Sequence, residues 1–96
     1  MKDEIALIRN YFLSRPVVKA YLFGSTVRGN NAANSDIDIL IELSDEADLY
    51  DFIAMKQELE ALLNKSVDLV SARGLSPHIR PFIEKDKQLI YERKAG

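Results

Sequence analysis

The stretch from Leu22 to Leu43, LFGSTVRGNNAANSDIDILIEL, decides the fold. It starts at the end of an apolar segment, breaks at Gly24-Ser25, and resumes as a run in which alternate residues are apolar. This alternation is typical of a half-buried strand, because successive side chains point to opposite faces of a sheet. We therefore predict strands over about residues 17–23 and 36–43, joined by a connection from Thr26 to Ser35.

The sequence on either side predicts helices and further strands. Apolar residues at helical spacing indicate one helix over about residues 3–14 and another over about residues 48–64, which Asp48 would N-cap. The expected buried stripes are Ile5, Ile8 and Phe12 in the first helix, and Phe52, Met55, Leu59 and Leu62 in the second. The other predicted elements are a strand over residues 67–71, a helix from Ser76 to about Lys85 and a short strand over residues 88–91. The fold class is then α/β, with helices packed on a small mixed sheet of three to four strands.

Length and composition fit one domain spanning residues 1–96. The chain has 96 residues, 47% of them hydrophobic, which suffices for a single core. It contains no cysteine, so disulfides and cysteine-ligated metal sites are excluded. No uncharged apolar stretch approaches the roughly 20 residues that a membrane span needs, and early charges interrupt any signal-peptide core. We expect a cytoplasmic protein without membrane contact.

The charge distribution narrows the class of ligand. The formal net charge is −2, and nine of the ten charged residues between Asp36 and Glu60 are acidic. A protein that grips duplex nucleic acid usually carries a basic stripe and a positive net charge. We therefore do not expect duplex nucleic acid as the primary ligand, whereas an acidic centre suits a cation.

Asp36 and Asp38 are candidate metal ligands. If they open a strand, the period of two points both carboxylates to one face, where they repel by about 2.5 kcal/mol at an effective dielectric constant near 20. A divalent cation reverses the sign of that interaction, and Mg²⁺ prefers hard oxygen ligands. The pair taken alone also fits two solvated surface acids.

The Gly24-Ser25 break is a candidate phosphate site. If the two strands are antiparallel neighbours, this turn lies beside the start of the second strand and therefore beside the two carboxylates. Glycine lets the backbone approach a phosphate, while a serine hydroxyl and nearby amides can donate hydrogen bonds to it. Arg28 adds a guanidinium that suits phosphate oxygens. A lone Gly-Ser turn is also compatible with a purely structural role.

Asp68 is the third acidic candidate. It is the only charged residue between Lys65 and Arg73, in a mostly apolar segment. An acid inside a short central strand is costly unless something neutralises it. We therefore favour a third ligand that converges with Asp36 and Asp38, while an edge-strand acid that points to water is the alternative.

Together these features resemble the minimal nucleotidyltransferases of the DNA polymerase β superfamily. The shared pattern is Gly24-Ser25, a ten-residue spacer, Asp36-Ile37-Asp38, and Asp68 on a later strand. Within that superfamily the chain is similar to the MntA-type antitoxins that accompany HEPN-domain toxins in prokaryotes.

The resemblance implies an enzyme that transfers a nucleoside monophosphate from an NTP, with ATP as the expected donor, by means of two Mg²⁺ ions. Asp36 and Asp38 would bridge both ions, and Asp68 would complete the second and accept the proton of the attacking hydroxyl. Gly24-Ser25 would hold the terminal phosphates, with Arg28 as a further phosphate contact. In the antitoxin family the acceptor is a tyrosine hydroxyl on the HEPN toxin, and AMP addition silences the toxin.

Two other functions stay open. A protein of this fold could neutralise a HEPN toxin by binding alone, although three converging acids would then be unnecessary. Asp-x-Asp also occurs in sugar-nucleotide transferases, but it normally follows a larger nucleotide-binding region, and only 35 residues precede Asp36. Because the sheet and helices nearly use up the chain, we expect another chain, or a second copy in a homo-oligomer, to supply the acceptor platform.

Overall fold

The chain alternates between helices and strands. The computed structural model describes residues 2–28 and 36–94. In chain order its elements are α1 (Lys2–Phe12), β1 (Val17–Leu22), α2 (Ser25–Arg28), β2 (Ile37–Leu43), α3 (Leu49–Leu63), β3 (Val67–Ser71), a 3₁₀ helix (Ala72–Gly74), α4 (Arg80–Asp86) and β4 (Gln88–Glu92). The predicted α/β class and the four predicted strands are confirmed, whereas residues 29–35 of the expected connection lie outside the described residues. None of the helices in the described ranges is long and apolar enough to cross a membrane.

The four strands form one mixed sheet in the order β3-β2-β1-β4. β1 pairs antiparallel with β2 and with β4, and β2 pairs parallel with β3. The end of β1 and the starts of β2 and β3 therefore meet at one end of the sheet. The first two strands are antiparallel neighbours, which is the condition of the phosphate-site argument, and this pairing places Gly24 beside the start of β2.

Helices cover both faces of the sheet. On one face α1 and α3 pack against the strands, and the largest side chains of this core are fully buried: Ile8, Phe12, Ile37, Ile39, Ile41, Met55 and Leu59. On the other face α4 contributes Ile83 to a smaller buried cluster with Tyr21, Phe23 and Leu40. The strands thus bury side chains on both faces, which specifies their register, because a slip of one residue would exchange the two faces.

α3 begins and ends as its sequence predicts. The Asp48 side chain accepts a hydrogen bond from the Asp51 amide, and the Asp51 side chain accepts one from the Asp48 amide, both at 2.9 Å. This reciprocal capping box satisfies amides that the first turn leaves without partners. At the other end Asn64 adopts a left-handed conformation with a φ of 54°, which asparagine tolerates better than most residues.

The buried stripe of α3 differs from the prediction at one position. Leu62 is 42% exposed, and Leu63 is buried in its place. The stripe continues four residues beyond Leu59 rather than three, and both steps return to about the same side of a helix. The predicted burial of Met55 and Leu59 is confirmed.

Two helical segments also differ from the prediction. α2 occupies residues 25–28 within the expected connection, and α4 begins at Arg80 rather than at Ser76. The Ser76 hydroxyl accepts a hydrogen bond from the His78 amide at 3.1 Å, so this serine stabilises a turn that precedes the helix. Both helices are too short to leave a clear periodic signal in the sequence.

Candidate active site

Two aspartates lie side by side on neighbouring strands. Asp38 in β2 and Asp68 in β3 are direct partners in the parallel register, and adjacent strands are about 4.8 Å apart. Both side chains point to the face that α4 covers, because Leu40 and Val70, two residues further along, pack in the α4 cluster. The structure therefore brings two of the three predicted acids together.

The position of Asp68 corrects part of the argument that singled it out. β3 is an edge strand, not a central one, and Asp68 is exposed. The cost of burying a carboxylate therefore does not apply to it. The reason to expect a cation at Asp68 is its neighbour Asp38. Two carboxylates about 5–6 Å apart repel by roughly 0.7 kcal/mol in water and 3 kcal/mol at an effective dielectric constant of 20. A cation between them would remove that repulsion.

Asp36 lies at the point where β2 begins. The Ile37 amide donates a hydrogen bond to the Ser66 carbonyl at 3.0 Å, which holds the start of β2 against β3. The period of two puts Asp36 on the same face as Asp38, although Asp36 is exposed and Asp38 is half-buried. Within residues 2–28 and 36–94, no group of three or more histidine, cysteine, aspartate or glutamate side chains is arranged to hold a metal ion. The three acids therefore do not form a ready-made ligand cage, and their joint action on a metal stays a prediction.

Gly24 brings the bend after β1 into contact with Asp38. Its φ is +63°, in the left-handed region that favours glycine. A Cβ atom built at this position would lie 2.6 Å from Oδ2 of Asp38, closer than Cβ atoms approach their neighbours. The Phe23 amide donates a hydrogen bond to the Asp38 carbonyl at 3.2 Å. Both conformation and space therefore favour glycine here, and the predicted proximity of the bend to the first acidic pair is confirmed at Asp38.

Thr26 positions Asp38, and the sequence patterns did not identify it. Its Oγ1 accepts a hydrogen bond from the Asp38 amide at 2.9 Å, and the residue is only 8% exposed. The Val27 amide donates to the Gly24 carbonyl at 3.2 Å, which closes a turn around the bend. Thr26 lies in the spacer of the motif, where an uncharged residue gives no periodic or electrostatic signal. Hydrogen bonds thus hold Asp38 through both its amide and its carbonyl.

α2 carries the two remaining predicted site residues. Ser25 begins and Arg28 ends this four-residue helix, directly after the Gly24 bend. Their side chains lie outside what the structure describes, so their contacts with phosphate stay predictions. Carboxylate oxygens on neighbouring strands are donors of the kind that a hard divalent cation takes. The chemistry of the acids present therefore fits the Mg²⁺ expected from the sequence.

A cavity of about 650 Å³ opens beside the carboxylates on the α4 face. Gly24 and Asp68 form part of its wall, so the cavity adjoins the acidic pair. Its apolar lining comes from the sheet and from the segment around the start of α4: Phe23, Val70, Leu75, Ile79, Phe82 and Ile83. The sequence patterns did not single out these residues, because they come together only through the packing of α4 on the sheet.

Interactions around the end of α4 fix this cavity wall to the sheet. Lys87 forms a 2.9 Å ion pair with Glu84, and its ammonium lies 4.5 Å from the centre of the Tyr21 ring. The Tyr21 hydroxyl donates a hydrogen bond to Glu42 in β2 at 3.2 Å. Hydrogen bonding to Glu84 raises the pKa of Lys87, and burial, together with the charge of Glu42, raises the pKa of Tyr21. Lys87 is therefore a cation and Tyr21 a neutral phenol at neutral pH.

The sequence of the chain matches a known protein family. The family model described as "Polymerase beta, Nucleotidyltransferase" matches residues 7–96. The protein adenylyltransferase MntA of Thermococcus cleftensis is 43% identical over 58 residues, which cover 60% of this chain and 59% of that protein. The matched family region includes the Gly24 bend and all three candidate aspartates.

Solved toxin–antitoxin complexes contain chains of the same fold. A toxin–antitoxin structure with AMP-PNP matches with a TM-score of 0.74 at 28% identity, over 97% of this chain and 74% of the other. A structure of the tri-AMPylated Shewanella oneidensis HEPN toxin in complex with MNT antitoxin gives a TM-score of 0.66 at 25% identity, over 96% and 69% of the two chains. Because the family model covers nearly the whole sequence, the chain belongs to the polymerase β nucleotidyltransferase family.

Proposed function

We propose that this nucleotidyltransferase transfers AMP from ATP to a tyrosine hydroxyl of a partner HEPN toxin and thereby acts as its antitoxin. The observation that carries the proposal is the register of β2 and β3, which sets Asp38 beside Asp68 and next to the Gly24 bend. A transfer from a nucleoside triphosphate needs carboxylates that can hold cations beside a backbone that can admit phosphate. The position of Asp38, Asp68 and the Gly24 bend at one end of the sheet supports both requirements.

In this proposal the aspartates bind the metal ions, and the other predicted site residues bind phosphate. Asp36 and Asp38 would hold two Mg²⁺ ions, and Asp68 would complete the ligands of the second. When bound, the ions would neutralise charge that develops on the entering and leaving oxygens. Gly24-Ser25 would hold the terminal phosphates through backbone amides and a hydroxyl, with Arg28 as a further phosphate contact.

The chain's own residues would position the reacting groups. Asp68 accepts the proton of the acceptor hydroxyl, and the freed oxygen forms a bond to the α-phosphorus of ATP. The bond from that phosphorus to the oxygen of the β-phosphate breaks, and pyrophosphate leaves on the Gly24 side. Thr26 and Phe23 hold the backbone of Asp38, so the main chain that carries this carboxylate is fixed in advance, which lowers the cost of reaching the transition state.

The similar structures support AMP as the transferred group and a HEPN toxin as the partner. One is a toxin–antitoxin structure with AMP-PNP, and another contains a tri-AMPylated HEPN toxin with its MNT antitoxin. The same reaction by this chain requires a partner that presents a hydroxyl to Asp68. A cytoplasmic site of action is part of the proposal, because ATP and Mg²⁺ are abundant there.

Neutralisation of the toxin by binding alone is the second candidate function. Leu49 and Tyr50 at the start of α3 are 69% and 81% exposed, and exposed apolar side chains of this kind suit a protein contact. The substitution Asp36→Asn separates the two functions, because it removes a proposed metal ligand while it keeps the size of the side chain.

The test combines the purified protein, a candidate HEPN toxin, Mg²⁺ and ATP labelled at the α-phosphate. We expect the wild-type protein to label and silence the toxin. Asp36→Asn should bind the toxin but leave it unlabelled and active. Full neutralisation by Asp36→Asn would favour binding alone, and label transfer that persists without divalent metal would contradict the proposed chemistry. Light scattering of the same sample reports whether the chain also forms a homo-oligomer.

A further inference from the structure

Two exposed apolar side chains line the cavity beside the carboxylates. Phe82 is 74% exposed and Ile79 is 52% exposed, although both face a cavity that reaches Asp68. Ile83, next to Phe82 in sequence, is 4% exposed and anchors α4 in the core. Phe82 and Ile79 therefore add little to the core, which leaves ligand binding as a use for their apolar surface.

The charges of the cavity disfavour a polyanion in its apolar part. Among the described residues that line it, Asp68 and Asp86 are acidic and Lys85 is basic. Asp38 adds a carboxylate directly beside Asp68. Phosphate oxygens therefore suit the end of the cavity at Gly24, where the proposed metal ions would offset the carboxylates, whereas a neutral group suits the apolar space between α4 and the sheet.

The polar side chains of the cavity favour a phenol over a nucleobase. A nucleobase carries several polar edge atoms, each of which costs free energy when it is buried without a hydrogen-bond partner. Ser76 is the only uncharged polar side chain among the described lining residues. A tyrosine side chain has an apolar ring and a single hydroxyl at its tip, and Asp68 could accept a hydrogen bond from that hydroxyl.

We propose that this cavity is the acceptor subsite, in which Phe82 and Ile79 hold the ring of the tyrosine that receives the nucleotide. The inference rests on the proposed function and adds the residues that select the acceptor. With the ring against Phe82, the hydroxyl lies at Asp68 and gives its proton to that carboxylate. The phenol oxygen then bonds to the α-phosphorus while the bond to the β-phosphate oxygen breaks and pyrophosphate leaves.

The kinetic test compares Phe82→Ala with Leu13→Ala in the full chain. Leu13 is 70% exposed, close to the value for Phe82, but it lies outside this cavity. Loss of the ring contact and of its apolar area should raise the KM for the partner toxin about tenfold in Phe82→Ala. The KM for ATP should change less than about twofold in either variant, because the proposal places the triphosphate at Gly24 and the carboxylates rather than against Phe82.

Three other patterns in the two KM values would overturn the proposal. A raised KM for ATP with an unchanged KM for the toxin would assign the cavity to the nucleobase. Unchanged values for both substrates in Phe82→Ala would show that the cavity does not bind either group. An equal rise in the KM for the toxin in Leu13→Ala would show that any exposed apolar side chain has this effect, and would also overturn the assignment.

A binding measurement separates this proposal from the proposed function. N-acetyl-tyrosine amide is titrated into the full chain without ATP or toxin, and backbone amide signals are followed by NMR. We expect shifts at Leu75, Ile79 and Phe82, weaker shifts in Phe82→Ala, and none with N-acetyl-serine amide. These shifts in a protein that transfers no AMP would refute the proposed function and would leave the cavity as a site that binds a tyrosine side chain without a transfer step. Shifts with adenosine but not with the tyrosine amide would refute the acceptor subsite.

Discussion

The substitution Gly24→Ala tests whether the bend after β1 constrains Asp38. The added methyl group would lie 2.6 Å from Oδ2 of Asp38, so either the carboxylate or the bend must move by roughly 1 Å to restore a normal contact. The φ of +63° at this position adds a second cost, because a residue with a Cβ is strained there. The variant therefore perturbs both stability and the geometry of the site.

The expected changes in Tm and in transfer rate can both be estimated. The left-handed conformation costs an alanine roughly 1–2 kcal/mol more than a glycine. For a domain of this length, each kcal/mol lowers Tm by about 4–8 °C, so Tm should fall by about 4–16 °C. A displacement of about 1 Å at a reacting group can cost on the order of 100-fold in rate. We expect AMP transfer by the folded variant to fall by at least that factor.

Thermal unfolding followed by circular dichroism and AMP transfer at saturating ATP measure the two effects. Gly74→Ala is the control for stability, because nothing lies within 4 Å of a Cβ built at Gly74 and its φ is not left-handed. That control should keep or slightly raise Tm. If Gly24→Ala retains the wild-type Tm and the wild-type rate, the bend does not constrain Asp38, and the reasoning from this contact is wrong.

Three further substitutions test other parts of the structure. Asp68→Asn should keep or raise Tm, because it removes repulsion from Asp38, while it abolishes transfer; a clear fall in Tm would count against the like-charge pair. Asp48→Ala should lower the free energy of unfolding in urea by about 1 kcal/mol through loss of the N-cap, with no change in transfer rate; an unchanged free energy would contradict the capping role. Burial and a hydrogen bond to Glu58 raise the pKa of Tyr11 to about 12, whereas an unfolded tyrosine ionises near pH 10. The free energy of unfolding that this shift contributes is present below about pH 10 and should be lost as the pH rises through about 12. Urea titrations should show a smaller fall in the free energy of unfolding over this pH range in Tyr11→Phe; an equal fall in both proteins would contradict the role of Tyr11.

β2 shows why part of the site could be predicted from the sequence. Ile37, Ile39 and Ile41 alternate with Asp38 and Leu40 along the strand, and the face that carries the isoleucines is buried against α1 and α3. The direction of the Asp38 side chain therefore follows from the period of the strand. The pairing of Asp38 with Asp68 cannot be predicted from that period, because it depends on which strand lies next to β2. That neighbour is set by sheet order, which joins segments about 30 residues apart in the chain.

The remaining features depend on packing that leaves no local signal. Thr26 reaches the Asp38 amide only because a turn forms directly after Gly24. Phe82 and Ile79 line the cavity only because α4 crosses the sheet face that carries the acids. In each case the sequence supplies a residue type that fits many positions, and contacts between distant segments determine its role.

Paramagnetic broadening by Mn²⁺ tests the central claim most directly, namely that Asp36, Asp38 and Asp68 act together on a divalent metal. Mn²⁺ takes the same oxygen ligands as Mg²⁺ and broadens the NMR signals of nearby amides. We expect broadening first at residues 24, 36–38 and 68–69.

Asp38→Asn and Asp68→Asn should each weaken this broadening strongly. Asp45→Asn, which removes an exposed acid that pairs with Arg73 at 3.2 Å, should leave it unchanged. Broadening that spreads over the acidic residues of α3 and is unaffected by Asp38→Asn and Asp68→Asn would contradict the account.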